Sequence, residues 1–349
     1  MTTSERSDIP AEGVNRVLTT RGGYYLPFGL DDTRELLCTT PFANLHQIAK
    51  NISERRFGKA VEPCAVIRIS NHCGHNCNHC HLRFQNEELP RYRMVPDDIV
   101  VTAKDAIATG IKTVVLTSGQ DLAYTSRMIY QIIQRIKNLG PVQLFLSMGE
   151  RQAEEVMQWR EAGADGYLLN FDSCSPQVFN FLRPDQSVHS RLDTLNILRE
   201  NGLRLASGPL IGLPGQQLED LAEDLLFWEE TQADLLVFSA FRPHPMTPMG
   251  FHHMPSPQFL ARVMATARIL YPEADFFLSD MHSISPDELI PLLECGVTHL
   301  AFDATPEEYN YAFLEGLTSS SYHTFSNRLM RVRQLVAESN YKLMLSFSA

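Results

Sequence analysis

The stretch Ala65-Val-Ile-Arg-Ile-Ser-Asn-His-Cys73-Gly-His-Asn-Cys77-Asn-His-Cys80 sets a β-branched run directly against three closely spaced cysteines. The run reads as a buried strand, and the cysteines as a tight loop leaving its C-terminal end. The pattern repeats outward from there. Further strands are predicted at 113–116, 143–146, 166–169, 204–211, 234–238, 276–278 and 299–302, which with 65–69 makes eight. Helical periodicity fills the intervals at about 96–109, 125–138, 152–162, 189–201, 217–231, 257–270 and 286–294. Several of these begin after Ser, Asp or Pro, and Gly110, Gly140, Gly163, Gly202 and Gly296 stand where they should end. Strands alternating with helices predict an α/β fold, a TIM-like (β/α)8 barrel, whose functional groups gather on the loops after the strands.

Every predicted strand is followed by polar or glycine-rich residues. They are Ser70 to Cys73, Ser118-Gly119-Gln120-Asp121, Ser147 to Glu150, Asn170-Phe171-Asp172, Gly212-Leu213-Pro214-Gly215, Ser239 with Arg242-Pro243-His244, Ser279-Asp280, and Asp303. One rim of the barrel should collect them. Residues 1–60 differ, with two predicted helices near 31–37 and 43–56 and a loop at 21–25. They read as an N-terminal helical extension packed on a barrel domain spanning 61–349.

Composition narrows the function classes. Hydrophobic residues make up 44% of the 349 and charged residues 20%, ordinary values for a globular chain. No apolar run approaches the roughly 18 residues that cross a bilayer. The first ten residues lack the apolar stretch of a secretory signal, so the expected compartment is the cytoplasm, where seven cysteines serve as thiols or metal ligands. A formal charge of -11, with one short basic cluster at Arg55, Arg56 and Lys59, argues against a nucleic-acid partner, and no membrane partner is expected.

Three thiolates on a tight loop can hold three irons of a cubane cluster and leave the fourth open to an exogenous ligand. The nearby His72, His75, His79 and His81 leave a Cys3His zinc site as the alternative. Cys38, Cys64, Cys174 and Cys295 are too scattered for a second cluster and are expected to be small buried residues.

The spacing of Cys73, Cys77 and Cys80 resembles the cluster motif of the radical S-adenosylmethionine (SAM) superfamily. Strings in order along the chain are similar to one branch, which contains the hydrogenase-cofactor maturase HydE, biotin synthase and methylornithine synthase. They are Cys80-His-Leu-Arg83, Arg91-Tyr-Arg-Met94, Leu116-Thr-Ser-Gly-Gln-Asp121, Glu161-Ala-Gly-Ala-Asp165, Tyr167-Leu-Leu169, Leu182-Arg-Pro-Asp185 and Gly212-Leu-Pro-Gly-Gln216. The resemblance is strongest to the maturase and covers about residues 64–303.

It implies a catalytic 4Fe-4S cluster on Cys73, Cys77 and Cys80. SAM would chelate the unique iron and be split reductively, and the 5'-deoxyadenosyl radical would attack a small-molecule substrate. Reduced flavodoxin or ferredoxin would supply the electron. His79 stands at a position near the adenine, and Ser118-Gly119-Gln120 where a GGE-type motif receives the SAM amine. Arg191 matches an arginine for the SAM carboxylate, Asp172 and Glu150 are acceptors, and Gly212 and Pro214 bring backbone to the adenine.

Where this chain departs from the maturase, cations are lost. Asn170-Phe171-Asp172 replaces Arg-His-Glu, Thr117 replaces a glutamine, and Ser279-Asp280 replaces a threonine-rich segment. A pocket keeping Asp121, Asp172, Asp280 and Asp303 would favour a substrate carrying an amine, with Arg242 pairing a carboxylate, as in an amino-acid mutase similar to methylornithine synthase. Helix capping is the other reading of these aspartates. A non-catalytic metal-binding protein on the same fold is a third reading of the chain.

Overall fold

The computed structural model describes residues 28–279, 284–309 and 324–346. Within it, β1 (Ala60–Ser70), β2 (Thr113–Ser118), β3 (Gln143–Ser147), β4 (Gly166–Leu168), β5 (Arg204–Ser207), β6 (Leu210–Ile211), β7 (Leu235–Ala240), β8 (Asp275–Leu278) and β9 (Val297–Asp303) are all parallel. Ala65 of β1 pairs with Val114 of β2 on one side and with Phe302 of β9 on the other. That double pairing closes an eight-stranded barrel, with β6 as a short extension beside β7.

The period-two alternation of the strands sorts side chains to two faces. Ala65, Ile67 and Ile69 point outward into the layer shared with the helices, while Cys64 and Val66 point inward. The inward set is one apolar plug, with Cys64, Val115, Phe145, Ala206, Val237, Phe277 and Ala301 packed together and Leu168 against them. Two residues beyond Val66, Val115, Phe145, Leu168, Val237, Phe277 and Ala301, the same direction carries Arg68, Thr117, Ser147, Asn170, Ser239, Ser279 and Asp303, while β5 has Gly208 there. The lumen is therefore apolar below and polar at the end where the loops leave.

Helices close the outside by ordinary amphipathicity. Ser126–Lys137 buries Ile129, Ile132, Ile133 and Ile136, the spacing of one helical face, and Thr125 caps it by accepting the Met128 N–H. The helix Phe42–Arg56 lies against the helices Pro257–Leu270 and Pro286–Glu294, where Lys50 pairs with Glu294 and His46 bonds the Pro291 carbonyl at 3.0 Å. Ahead of it, Leu30–Arg34 runs on as a wider π-type turn, Glu35–Thr39.

The structure departs from the sequence reading at four places. The run 204–211 is two strands, because a Cβ on Gly208 would meet the Val237 carbonyl oxygen at 2.0 Å and the chain bends at this close approach. Helices Pro176–Leu182 and Phe325–Glu338 were not expected, and Lys342–Leu343 adds a short β10 beside Ala60 and Val61. The loop at 21–25 and Asp280 lie outside the described residues. Among the described residues no helix is long and apolar enough to cross a membrane.

Candidate active site

The chain leaves β1 into an excursion that returns at residue 92, and two devices hold it closed. Asn71 donates its amide to the Pro90 carbonyl at 2.7 Å and accepts the Tyr92 N–H at 2.7 Å. Arg91 spreads its guanidinium over the carbonyls of Asn71, Leu82, Arg83 and Asn86. A planar fork with five donors suits this work. Between these ties, Cys73 and Cys80 pack against an apolar nest of Leu82, Leu89 and Tyr92.

A second clamp comes from residues 181–186. Asn78 donates its backbone N–H to Leu182 O at 2.8 Å and its side-chain amide to Phe181 O at 2.6 Å. Asp185 accepts the Asn76 N–H at 3.0 Å and lies 3.3 Å from His75 Nδ1. On the other flank, Gly74 N–H reaches the Gln120 carbonyl at 3.2 Å, and Gln120 Oε1 lies 2.9 Å from His75 Nε2. Gly119 lies so close to the loop that a Cβ there would meet His72 O at 2.3 Å and Cys73 Cβ at 2.6 Å.

Cys77 is buried, and Cys73 and Cys80 are half-buried on the same loop. Burial, then the neighbouring Cys77 and Cys73 sulfurs, push the Cys80 thiol up to about 12. Burial raises Cys77 as well, opposed by Arg183. Added positive charge, such as iron supplies, favours the thiolate form of Cys77 and Cys80, and with Cys73 on the same loop these are the groups that could hold a cluster. His79 is the other mark of a missing neighbour. Its Nδ1 is buried without a hydrogen-bond partner, and burial, reinforced by Arg183, lowers its pKa to about 4 and leaves the ring neutral.

Beside the thiols stands an ion-pair array. Arg191 donates to Glu150 Oε1 at 2.9 Å, Asn170 O at 2.8 Å and Gln186 Oε1 at 2.9 Å, and Ser190 Oγ adds a bond of 2.6 Å to Glu150. Asp172 pairs with Arg183 Nε. Burial alone would raise the Asp172 carboxyl, but Arg183 and Arg191 hold it below its ordinary value. Its φ of 64° is left-handed, costly for a residue with a Cβ, and Gly208 O and Leu210 N–H tie its backbone on both sides. Gly212, at φ 81°, closes the next loop, where Gln216 Oε1 accepts the N–H groups of Gly212 and Leu213 and Pro214 is half-buried.

Sequence reasoning missed two residues here. Arg183 Nη1 lies 3.3 Å from Cys77 Sγ and Gln186 Nε2 lies 3.5 Å from it. The string Leu182-Arg-Pro-Asp185 carried the signal, as one of the strings of the resemblance, but nothing local assigns it a role.

The described aspartates of the expected pocket each have a cationic partner. Asp121 accepts Arg93 at 2.7 and 2.9 Å, Ser70 Oγ at 2.6 Å and Ala123 N–H at 3.1 Å, bonds that anchor the loop. Asp303 lies 3.5 Å from Arg68 Nε and accepts the Thr305 N–H at 2.8 Å. With Asp172 paired to Arg183, all three described aspartates lie within an ion pair.

Neutral groups face the lumen. Asn170 Nδ2 donates to Ser239 Oγ at 3.1 Å and Ser239 and Ser279 lie 2.7 Å apart, Thr117 is half-buried at the end of β2, and Ser118 Oγ turns back to the Gly119 carbonyl. His244 stacks on His81 at 4.7 Å, and Arg242 is half-buried in the same loop. Of the remaining cysteines, Cys64 and Cys295 are buried, Cys174 is half-buried and Cys38 is exposed, against expectation.

The Radical SAM superfamily model matches residues 67–227. Over 270 residues the chain is 37% identical to the [FeFe] hydrogenase maturase subunit HydE of Thermotoga maritima, covering 77% of each chain. The chain belongs to the radical SAM superfamily. It is also 25% identical over 248 residues to a 3-methylornithine synthase of Methanosarcina acetivorans, covering 70% of each. Its fold superposes on the crystal structure of methylornithine synthase (PylB) with a TM-score of 0.81 over 95% of this chain and 97% of that one, at 20% identity. This radical SAM enzyme uses a 4Fe-4S cluster and SAM. When bound, the two groups supply one electron and a primary carbon radical. The displaced zinc alternative offers no account of the rim that surrounds the thiols.

Proposed function

We propose that this radical SAM enzyme holds its cluster on Cys73, Cys77 and Cys80, splits SAM with an electron from reduced flavodoxin or ferredoxin, and turns the radical on a small polar molecule in the upper lumen. The carrying observation is one buried and two half-buried thiols on the loop after β1, above a lumen that changes from apolar to polar at one layer. A carbon radical attacks almost any C–H bond, so its partner must be fixed and water kept out. The apolar plug closes the lumen from below, and the rim supplies hydrogen-bond groups to fix a ligand above it.

Arg191 is the cation for the SAM carboxylate in this reading, with Glu150 and Asp172 as acceptors, His79 and the Gly212–Pro214 backbone near the adenine, and Gly119–Gln120 near the amine. Arg191 would exchange one of its present partners for the ligand. Kinship with HydE supports a maturation-type role. The committed aspartates and neutral Asn170, Thr117, Ser239 and Ser279 support a substrate recognised by hydrogen bonds more than by charge.

Protein reconstituted with iron and sulfide under anaerobic conditions, reduced and given SAM, should release 5'-deoxyadenosine, and Cys77→Ala should lose that release. No release from a fully loaded, reduced cluster would overturn the proposal.

A further inference from the structure

Residues 182–186 do more than clamp the thiol loop. Two of their side chains donate to the same sulfur, Arg183 Nη1 at 3.3 Å and Gln186 Nε2 at 3.5 Å from Cys77 Sγ. Chemistry fixes both orientations. A guanidinium has donors only, and that of Arg183 is held from behind by Asp172 at Nε. Gln186 could turn either amide atom to the sulfur, but its Oε1 receives Arg191 Nη2 at 2.9 Å. Arg191 has no acceptor to offer, so the amide nitrogen must face Cys77. The sulfur side chain is buried, its residue 5% exposed, so water competes little for these bonds.

We propose that Arg183 and Gln186 are positioning residues that set the reduction potential of the cluster through Cys77, and that Asp172 sets how much of the Arg183 charge the sulfur feels. The inference rests on Cys77 being a cluster ligand. Hydrogen bonds to cluster sulfurs and nearby positive charge favour the reduced state, which carries one more negative charge, and so raise the potential. Both effects are stronger where water is excluded. The arrangement carries signs as well as sizes. Loss of either donor lowers the potential. Neutralising Asp172 leaves the Arg183 cation uncompensated beside the sulfur and raises it.

The test is an EPR-monitored redox titration of anaerobically reconstituted holoenzyme, with iron per chain measured first. Arg183→Gln should lower the midpoint enough to change the reduced-to-oxidised ratio about tenfold at fixed poise, about 59 mV for one electron. Gln186→Leu should lower it by less, Arg183→Lys should fall between the parent and Arg183→Gln, and Asp172→Asn should move it upward. Parent-like midpoints in fully loaded Arg183→Gln and Gln186→Leu would overturn the inference, as would a downward shift in Asp172→Asn. Should Arg183→Gln fail to take up a cluster, Gln186→Leu and Asp172→Asn decide by the same signs. A Cys77→Ala chain that still bound a parent-like cluster would instead overturn the ligand assignment.

Discussion

At Gly119 one methyl group decides where the first cysteine of the loop can stand. A Cβ there would press on His72 O and Cys73 Cβ, and the backbone carbonyl cannot swing away as a side chain would. Gly119→Ala is expected to cut iron loading severalfold after reconstitution while leaving the far-UV spectrum of the barrel intact, read as iron per chain. This need for glycine was legible in the sequence only as a glycine in the right place. Cys73, Cys77 and Cys80 were legible because their spacing is local. The contact of Arg183 with Cys77 spans 106 positions and had no local sign. Arg268 was illegible for another reason. An arginine in a helix reads as exposed, yet this one is buried, donates to the carbonyls of Tyr271, Pro272, Ala274, Cys295 and Gly296, and lies 3.6 Å from the centre of the Phe276 ring.

Among the elements, the helix Leu218–Thr231 shows how a distant carboxyl shapes the loop that carries Asp172. Asp224 Oδ1 accepts Ser173 Oγ at 3.0 Å and the Cys174 N–H at 2.7 Å, and its Oδ2 is buried without a partner. Burial raises its pKa to about 7. An acid whose pKa is higher in the fold binds more protons there than when unfolded, so its contribution to stability falls as pH rises from about 4, its ordinary value, to about 7. Asp224→Asn keeps the acceptor and removes the charge. Its stability advantage over the parent in urea unfolding should therefore grow between pH 4 and 7 and level off above. A constant difference across that range would count against the assignment. The elements themselves were mostly legible, since β-branched runs and helical periodicity mark them. Pro176–Leu182 was not, being seven residues long and without a full amphipathic repeat, and the break in 204–211 depended on a backbone contact with β7.

For the whole molecule, closure through β1 and β9 turns eight strands into one lumen with a dry floor and a polar upper layer. The barrel was foreseeable from the count of strands. The state of its aspartates was not, because a carboxylate's partner is set by which loops meet, and Arg93 and Asp121 meet only after β1 and β2 are paired. A ligand that binds only the folded chain stabilises it by mass action. The iron-loaded holoprotein should accordingly melt several degrees above the same protein stripped of iron by a chelator, measured anaerobically. Equal melting temperatures would mean that the thiol loop is not thermally coupled to the barrel.

The clamp between His75 and Asp185 joins positions 110 residues apart. On a ribosome, then, the thiols emerge long before the segment that encloses them. A nascent chain that has exposed Cys73 to Cys80 still lacks Asp185, Arg183 and Gln186, so it holds three cysteines with no wall around them. Iron captured that early would sit in open solvent, exposed to oxidants and free to exchange. The order of the chain thus puts synthesis of the thiol loop ahead of the segment that encloses it.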